Sequence, residues 1–325
     1  MRIYIVVLEG VFDIGLSSLM DVIGTAKELN PADQKSVQLD VHLVGVKRRV
    51  NTAQGLRVPV ALASELALKL PAPDVVLIPA LGAKMPTSLE EALKRQDVAE
   101  FGDWIKNWAM AGASVGAACT GTFILAETGL LNGQRATTSW WLSSLFRQRY
   151  PLVDLDESLM LVNSSRYTTA GAALAHLDLG LGVVRSVSPS LASLCARYLL
   201  IETRSSQAVF IIPDHIAHTD PLVERFEQWA RANISLGFSL TDAARFIGAS
   251  ERTLGRRLKL VLGKSPLTYF QDLRVERAVH LLQTTSESVE HIAEQVGYSD
   301  GATLRDLLRN KLGKGVREIR ERHSR

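Results

Sequence analysis

The chain has 325 residues, 46% of them hydrophobic and 22% charged, with 23 Gly, 11 Pro and a net charge of +3. That length is about twice a usual domain, so two domains are expected, and the ordinary composition excludes a disordered chain or a fibrous repeat. Two cysteines, Cys119 and Cys195, build neither a disulfide framework nor a four-thiolate zinc site and suit a reducing compartment; no metal and no cofactor are expected. Met1–Gly10 lacks the features of a signal peptide and no run approaches the roughly 18 apolar residues of a membrane span, which predicts a cytoplasmic protein with no membrane partner.

Short β-branched runs at Ile3–Leu8, Val41–Val46, Val75–Pro79 and Ala113–Cys119 predict buried strands. Amphipathic patterns near Leu16–Leu29, Asp97–Ala111 and Thr120–Thr128 predict helices between and after them. The alternation implies an α/β domain: a parallel sheet sandwiched by helices, binding ligands beyond the carboxyl ends of its strands. At Cys119 a strand ends and a helix begins at once, with Ala117 and Gly121 two positions either side. Such a turn holds its central side chain strained above the sheet, and a thiol at a helix start is expected to have a lowered pKa. The plainer alternative is a small buried residue in a retained turn. Cys195, on an apolar helix face, reads as core.

Around Glu202–Asp220 the chain turns polar and Ser-rich, with Arg204-Ser205-Ser206-Gln207 and then Pro213. This predicts a first domain over 1–202, a linker over 203–220 and a helical second domain over 221–325. Charge divides at the same place. Residues 1–220 hold 19 Lys+Arg against 21 Asp+Glu, or −2, and residues 221–325 hold 18 against 13, or +5, which sum to +3. A basic C-terminal third suits phosphate, although a solvated helical surface accounts for charge alone equally well.

The second part repeats itself. Ser239, Ala244, Gly248 and Ser250 recur 49 residues on as Ser288, Ala293, Gly297 and Ser299, and Leu254, Leu258, Gly263 and Lys264 recur 50 residues on as Leu304, Leu308, Gly313 and Lys314. Each copy reads as helix, tight turn at Gly, then a second helix, which is helix-turn-helix geometry, making this an all-α domain with two such units. In the first copy Ser250 is a fitting N-cap, Leu254, Leu258 and Val261 face inward, and Arg252 and Arg256 face outward as candidate base readers. Lys259, Lys264 and Arg274 are candidate phosphate contacts. For any one of these a solvated or ion-paired surface residue is the alternative, and for the whole unit a helical bundle with no DNA role.

Ser250-x-x-x-Leu254, Gly263-Lys264-Ser265-Pro266, Arg274-x-x-x-Ala278-x-x-Leu281-Leu282 and Ile292-Ala293-x-x-Val296-Gly297-Tyr298-Ser299 together resemble the AraC/XylS DNA-binding domain, over Ser239–Arg320. The resemblance implies two helix-turn-helix units joined by a long helix, here about Leu267–Gln283, acting on double-stranded promoter DNA. The second copy departs from the family pattern, with Leu304, Leu308 and Leu312 where aromatics are usual, Asp306 where Arg is usual and Val316 where Pro is usual. Gly301 and Ala302 lack donors, so Arg305 and Arg309 are expected to contact phosphate rather than bases.

The segment Ala113–Gly133, with Ala136-Thr137-Thr138-Ser139-Trp140 and Ala170-Gly171 to Asp178-Leu179, resembles the PfpI-like branch of the class I glutamine amidotransferase fold, a flavodoxin-like sheet. That domain before an AraC-type domain is similar to the GlxA group of transcriptional regulators. The resemblance implies effector sensing, homodimerisation and RNA polymerase as a further partner. Relatives respond to small nitrogenous metabolites, which makes that class the expected effector. No enzyme activity is expected, because Ser139 and Thr120 stand where relatives carry His, neither His42 nor His176 matches a catalytic position, and Pro79-Ala80-Leu81-Gly82 lacks the usual paired glycines. Asp13, Gly82, Cys119, Thr120, Ser139 and Trp140 are the candidate pocket residues. The rival is a cysteine-dependent amidohydrolase or hydratase carrying a DNA-binding tail, with residual activity at Cys119.

Overall fold

The computed structural model describes residues 1–30, 38–202, 204, 206–211 and 220–321. The chain divides into two units, Met1–Ala208 and Val209–Arg325. In chain order the first holds β1 (Arg2–Val6), α1 (Asp13–Leu29), β2 (Asp40–Gly45), β3 (Arg49–Asn51), β4 (Arg57–Pro59), β5 (Ala61–Leu62), α2 (Ala63–Lys69), β6 (Val75–Ile78), α3 (Pro86–Leu93) and α4 (Gln96–Met110). It continues with β7 (Ser114–Ala118), α5 (Gly121–Glu127), β8 (Arg135–Ala136), α6 (Ser143–Arg149), β9 (Asp154–Leu155), β10 (Leu161–Ser164), β11 (Tyr167–Ala170), α7 (Ala175–Val187) and α8 (Pro189–Tyr198).

Side chains alternate across a strand, and here both faces are apolar because both are covered. Tyr4, Val6, Val76, Ile78 and Val115 pack against Phe101, Ile105, Trp108 and Phe123 of α4 and α5. Ile3, Ile5, Val75 and Leu77 pack against Leu16, Leu19, Leu179 and Leu191 of α1, α7 and α8, a layer that also holds the fully buried Cys195. The sheet order is β10-β11-β7-β6-β1-β2-β5. Every pairing from β11 to β5 is parallel, but β10 runs antiparallel to β11. The parallel sheet sandwiched by helices that the β/α alternation predicts is present, with one antiparallel edge strand where Ser165, at φ +55°, turns the chain straight back.

The expected linker is corrected at its start. Gln207 is buried against the first unit: its Oε1 accepts from Ala172 N (3.1 Å), and its Nε2 donates to the carbonyls of Thr138 (2.9 Å) and Leu159 (3.2 Å). Ser206 Oγ and the Gln207 amide both donate to the Ser158 carbonyl at 2.8 Å. A polar, Ser-rich stretch read as linker thus includes a residue, Gln207, whose side-chain amide saturates backbone groups of the first unit. Residues 203, 205 and 212–219, with Pro213, lie outside the described residues.

The second unit contains α9 (Pro221–Ala232), α10 (Leu240–Ile247), α11 (Glu251–Leu262), α12 (Pro266–Thr284), α13 (Val289–Gln295), α14 (Gly301–Leu312) and α15 (Val316–Glu321). Helices α9 to α14 each start at a side-chain cap, Asp220, Ser239, Ser250, Ser265, Ser288 and Asp300, whose oxygen accepts from the backbone two or three residues on. Such a cap stabilises a helix by about 1 kcal/mol, which is why these short helices start where they do. Gly248, Gly263, Gly297 and Gly313 all have φ between +66° and +81°, at the turns and helix ends where the repeat places them.

Candidate functional site

Two regions carry candidate residues. In the first unit, β7 delivers Cys119 with φ +56°, a left-handed conformation that a side chain adopts only when its surroundings impose it. The imposing neighbours are close: a Cβ on Gly121 would collide with the Ile78 carbonyl, and Ala117 and Ala118 are fully buried. Cys119 Sγ lies 3.0 Å from Ser139 Oγ, and Thr138 Oγ1 donates to the Cys119 carbonyl at 2.8 Å. The thiol is 5% exposed. Burial pushes its pKa up, against the lowering effects of the Ser139 bond, the Thr120 amide and Lys84. The expected lowering by the helix start is therefore corrected: α5 is a short helix, and desolvation of the thiolate outweighs it.

The loop facing the thiol has its donors in use. Leu81 N donates to Thr120 Oγ1 (2.8 Å), which returns a bond to the Leu81 carbonyl (2.9 Å). Ala80 N donates to Nε2 of His176 (3.0 Å), a fully buried ring whose pKa burial lowers to about 4. A cysteine hydrolase needs a base beside the thiol and free backbone N–H groups for the developing oxyanion. Here the thiol's polar neighbour is a hydroxyl, and the 80–81 amides are occupied.

The structure gathers the other candidates around this turn. Gly82 sits against Ala53, whose loop carries Gln54, and Gln54 N donates to Asp13 Oδ2 at 3.1 Å. Asp13 Oδ1 is shielded from solvent with no hydrogen-bond partner among the described residues. Trp140 follows Ser139, its ring 5.5 Å from and edge-on to that of Trp141. His176 and Gln207 were missed in sequence, the first because a helical histidine on an apolar face reads as filler, the second because it lay in the expected linker. A separate crevice of about 200 Å³, walled by Tyr4, Leu70, Trp104 and Trp108, takes in none of these residues.

In the second unit the candidates fall into three groups. Arg252 and Arg256 on α11 and Arg309 on α14 are exposed, with no ion pair among the described residues. Lys259, Lys264 and Arg305 are engaged within the chain: Lys259 donates to the Gly263 carbonyl (3.0 Å), Lys264 pairs with Asp272 (3.0 Å) and Arg305 pairs with Glu290 (2.7 Å). Arg274 is a correction. It is 8% exposed, its Nε and a terminal nitrogen donate to the carbonyls of Ile234 and Leu236, and its guanidinium lies over the rings of Phe270 (4.7 Å) and Tyr298 (5.1 Å). A guanidinium enclosed this way cannot reach phosphate. A side chain on Gly297 would occupy its place, which explains a glycine there beyond its φ of +81°.

Comparison with known proteins matches a family to each unit. The model of the DJ-1/PfpI family matches residues 1–185, and that of a helix-turn-helix domain matches residues 243–322. The HTH-type transcriptional regulator ArgR of Pseudomonas aeruginosa is 31% identical over 220 residues, 66% of this chain and 67% of that protein. The HTH-type transcriptional regulator GlxA of Rhizobium meliloti is 24% identical over 227 residues, 67% of this chain and 68% of that one. Among solved structures, an AraC family transcriptional regulator from Pseudomonas putida superposes on 61% of this chain and 98% of its own, with a TM-score of 0.50 at 19% identity, a likeness of fold.

Proposed function

The chain belongs to the DJ-1/PfpI family and carries the AraC-type helix-turn-helix domain of a transcriptional regulator, and from that premise we propose that occupancy of a small-molecule site at Cys119 governs promoter binding by α11 and α14. The regulator is not an enzyme, in keeping with its relatives. The observation that carries the proposed DNA contact is the face of α11: Ser250 caps its start, and Arg252 and Arg256 stand exposed one turn apart with no partner among the described residues. An arginine fork so placed reaches a guanine edge from the major groove. Arg309, and Lys259 and Arg305 after exchanging their present partners, would add phosphate contacts.

For the effector we propose a small nitrogenous metabolite. Asp13 Oδ1 is a shielded carboxylate oxygen with no partner among the described residues, and an ammonium or amidinium would complete it. Gln207 supplies a route outward, because its amide holds the carbonyl of Thr138, whose hydroxyl in turn holds the carbonyl of Cys119. We further propose that the regulator acts in the cytoplasm as a homodimer and engages RNA polymerase at its promoters.

Fluorescence anisotropy with duplexes from the intergenic regions beside its own gene tests the DNA proposal. Affinity should fall steeply between 50 and 200 mM salt, as it does when several phosphates are neutralised. A flat salt response, or no preference among duplexes, would rule it out. Adding candidate amines and amino acids to the same titration tests the effector. Gln207→Ala should bind DNA normally but lose any shift that an amine produces; a retained shift would exclude Gln207 from the route.

A further inference from the structure

The two helix-turn-helix units make separate apolar contacts with the helix that joins them. The later part of α12, Val275 to Leu282, shares a core with Ile292, Leu304 and Leu308 of the second copy. Phe270, earlier on α12, packs toward Trp229 and Phe238, at ring separations of 6.2 and 5.2 Å, on the side of the first copy. Between these sets lies Asp272-Leu273-Arg274. Asp272 Oδ2 receives Lys264 Nζ at 3.0 Å from just beyond the Gly263 cap that ends α11, and Oδ1 receives Lys311 Nζ at 2.7 Å from the last turn of α14. Arg274, about 200° further round the helix, ties the Ile234 and Leu236 carbonyls to the ring of Tyr298.

We propose that Asp272 is a specificity-determining positioning residue: by holding Lys264 and Lys311 on one carboxylate, it locks the ends of α11 and α14 at one separation and so sets the spacing between the bases that α11 reads and the phosphates that α14 contacts. This rests on α11 and α14 being the groove helices. Apolar packing tolerates sliding, whereas a carboxylate bonded through each oxygen to a different ammonium has one preferred arrangement. The lysine side chains are about a third exposed, 31% and 33%, so these pairs are screened and contribute little to folding. Their removal should leave a folded unit whose two halves are less strictly aligned. It would also free two lysines for phosphate.

The test uses the full chain and a duplex enriched from a random library by the wild type, together with the same duplex carrying one inserted base pair between the stretches that α11 and α14 contact. The wild type should lose about tenfold or more in affinity on insertion, because α11 and α14 can then no longer make their contacts together. Lys311→Gln, which cuts one arm, should reduce that loss to about threefold or less. Asp272→Asn should do the same and also steepen the salt dependence, by up to about two released counterions. Thermal melting near the wild-type midpoint identifies folded variants, and Lys311→Gln carries the test by itself if Asp272→Asn does not fold. An unchanged insertion penalty in Lys311→Gln, or a wild type indifferent to the insertion, overturns the proposal. If no duplex is enriched, the DNA-binding proposal fails and this one with it.

Discussion

Nε2 of His176 accepts the N–H of Ala80 at 3.0 Å, while Nδ1 lies 2.6 Å from the Ala173 carbonyl, to which it donates. Only the neutral tautomer with its proton on Nδ1 satisfies both partners, because a second proton on Nε2 would point at the Ala80 N–H. Burial, outweighing the Ala173 bond, holds this pKa at about 4, below its ordinary 6.5. As pH falls from 6.5 toward 4 the unfolded chain takes up a proton that the folded one refuses, so the first unit loses stability, by on the order of 3 kcal/mol at the end of that window. Melting curves from pH 7 to 4.5 should be flatter for His176→Gln than for wild type, and parallel curves would acquit the histidine.

Thr120 binds Leu81 twice, through its N–H and its carbonyl. Thr120→Val keeps the shape and deletes both bonds, leaving two buried backbone groups unpaired, and should cost about 2–4 kcal/mol in urea unfolding. Thr120→Ser should recover most of that. Equal losses for the two variants would point to packing of the methyl instead.

Cys119 and Cys195 are 5% and 0% exposed. In the native state neither thiol should react with a disulfide reagent within minutes at pH 8, and both should react after denaturation. Cys119→Ala should bind its selected duplex within about twofold of wild type, since nothing on the proposed DNA face touches the thiol. Rapid labelling of Cys119, together with hydrolysis of an amide that this variant abolishes, would restore the cysteine-hydrolase rival.

Arg256 and Arg274 lie 18 residues apart in sequence and should behave oppositely. Arg256→Ala should leave melting unchanged, weaken binding to the selected duplex by about 1–3 kcal/mol and relax one base position. Arg274→Ala strips two carbonyls and two rings of their partner, and should destabilise the second unit by about 2–4 kcal/mol. The assignments are wrong if Arg274→Ala melts like wild type while binding DNA less tightly.

Strands and helix starts were legible because each is written locally. Ile3–Leu8 and Val75–Pro79 are apolar on both faces, and Ser250 is a cap that needs only the backbone three residues on. Arg274 was not legible, because its destination is a pair of carbonyls at 234 and 236 that only the fold brings near. Gln207 failed for the same reason, its amide being matched to Thr138, Leu159 and Ala172. The turn at Cys119 was legible as geometry from its small neighbours, but not as chemistry. A helix dipole acts from one end, whereas the thiol's protonation is governed by how completely the rest of the unit excludes water.

Asp220 opens α9 by accepting from Leu222 N (2.9 Å) and Val223 N (3.2 Å) through one oxygen, and its other oxygen holds Arg257 of α11. One carboxylate, where the described chain resumes after the connector, is thus a joint between the entering strand of polypeptide and the helix proposed to read DNA. Loss of the Asp220 carboxylate would therefore uncap α9 and release Arg257 of α11 in a single step.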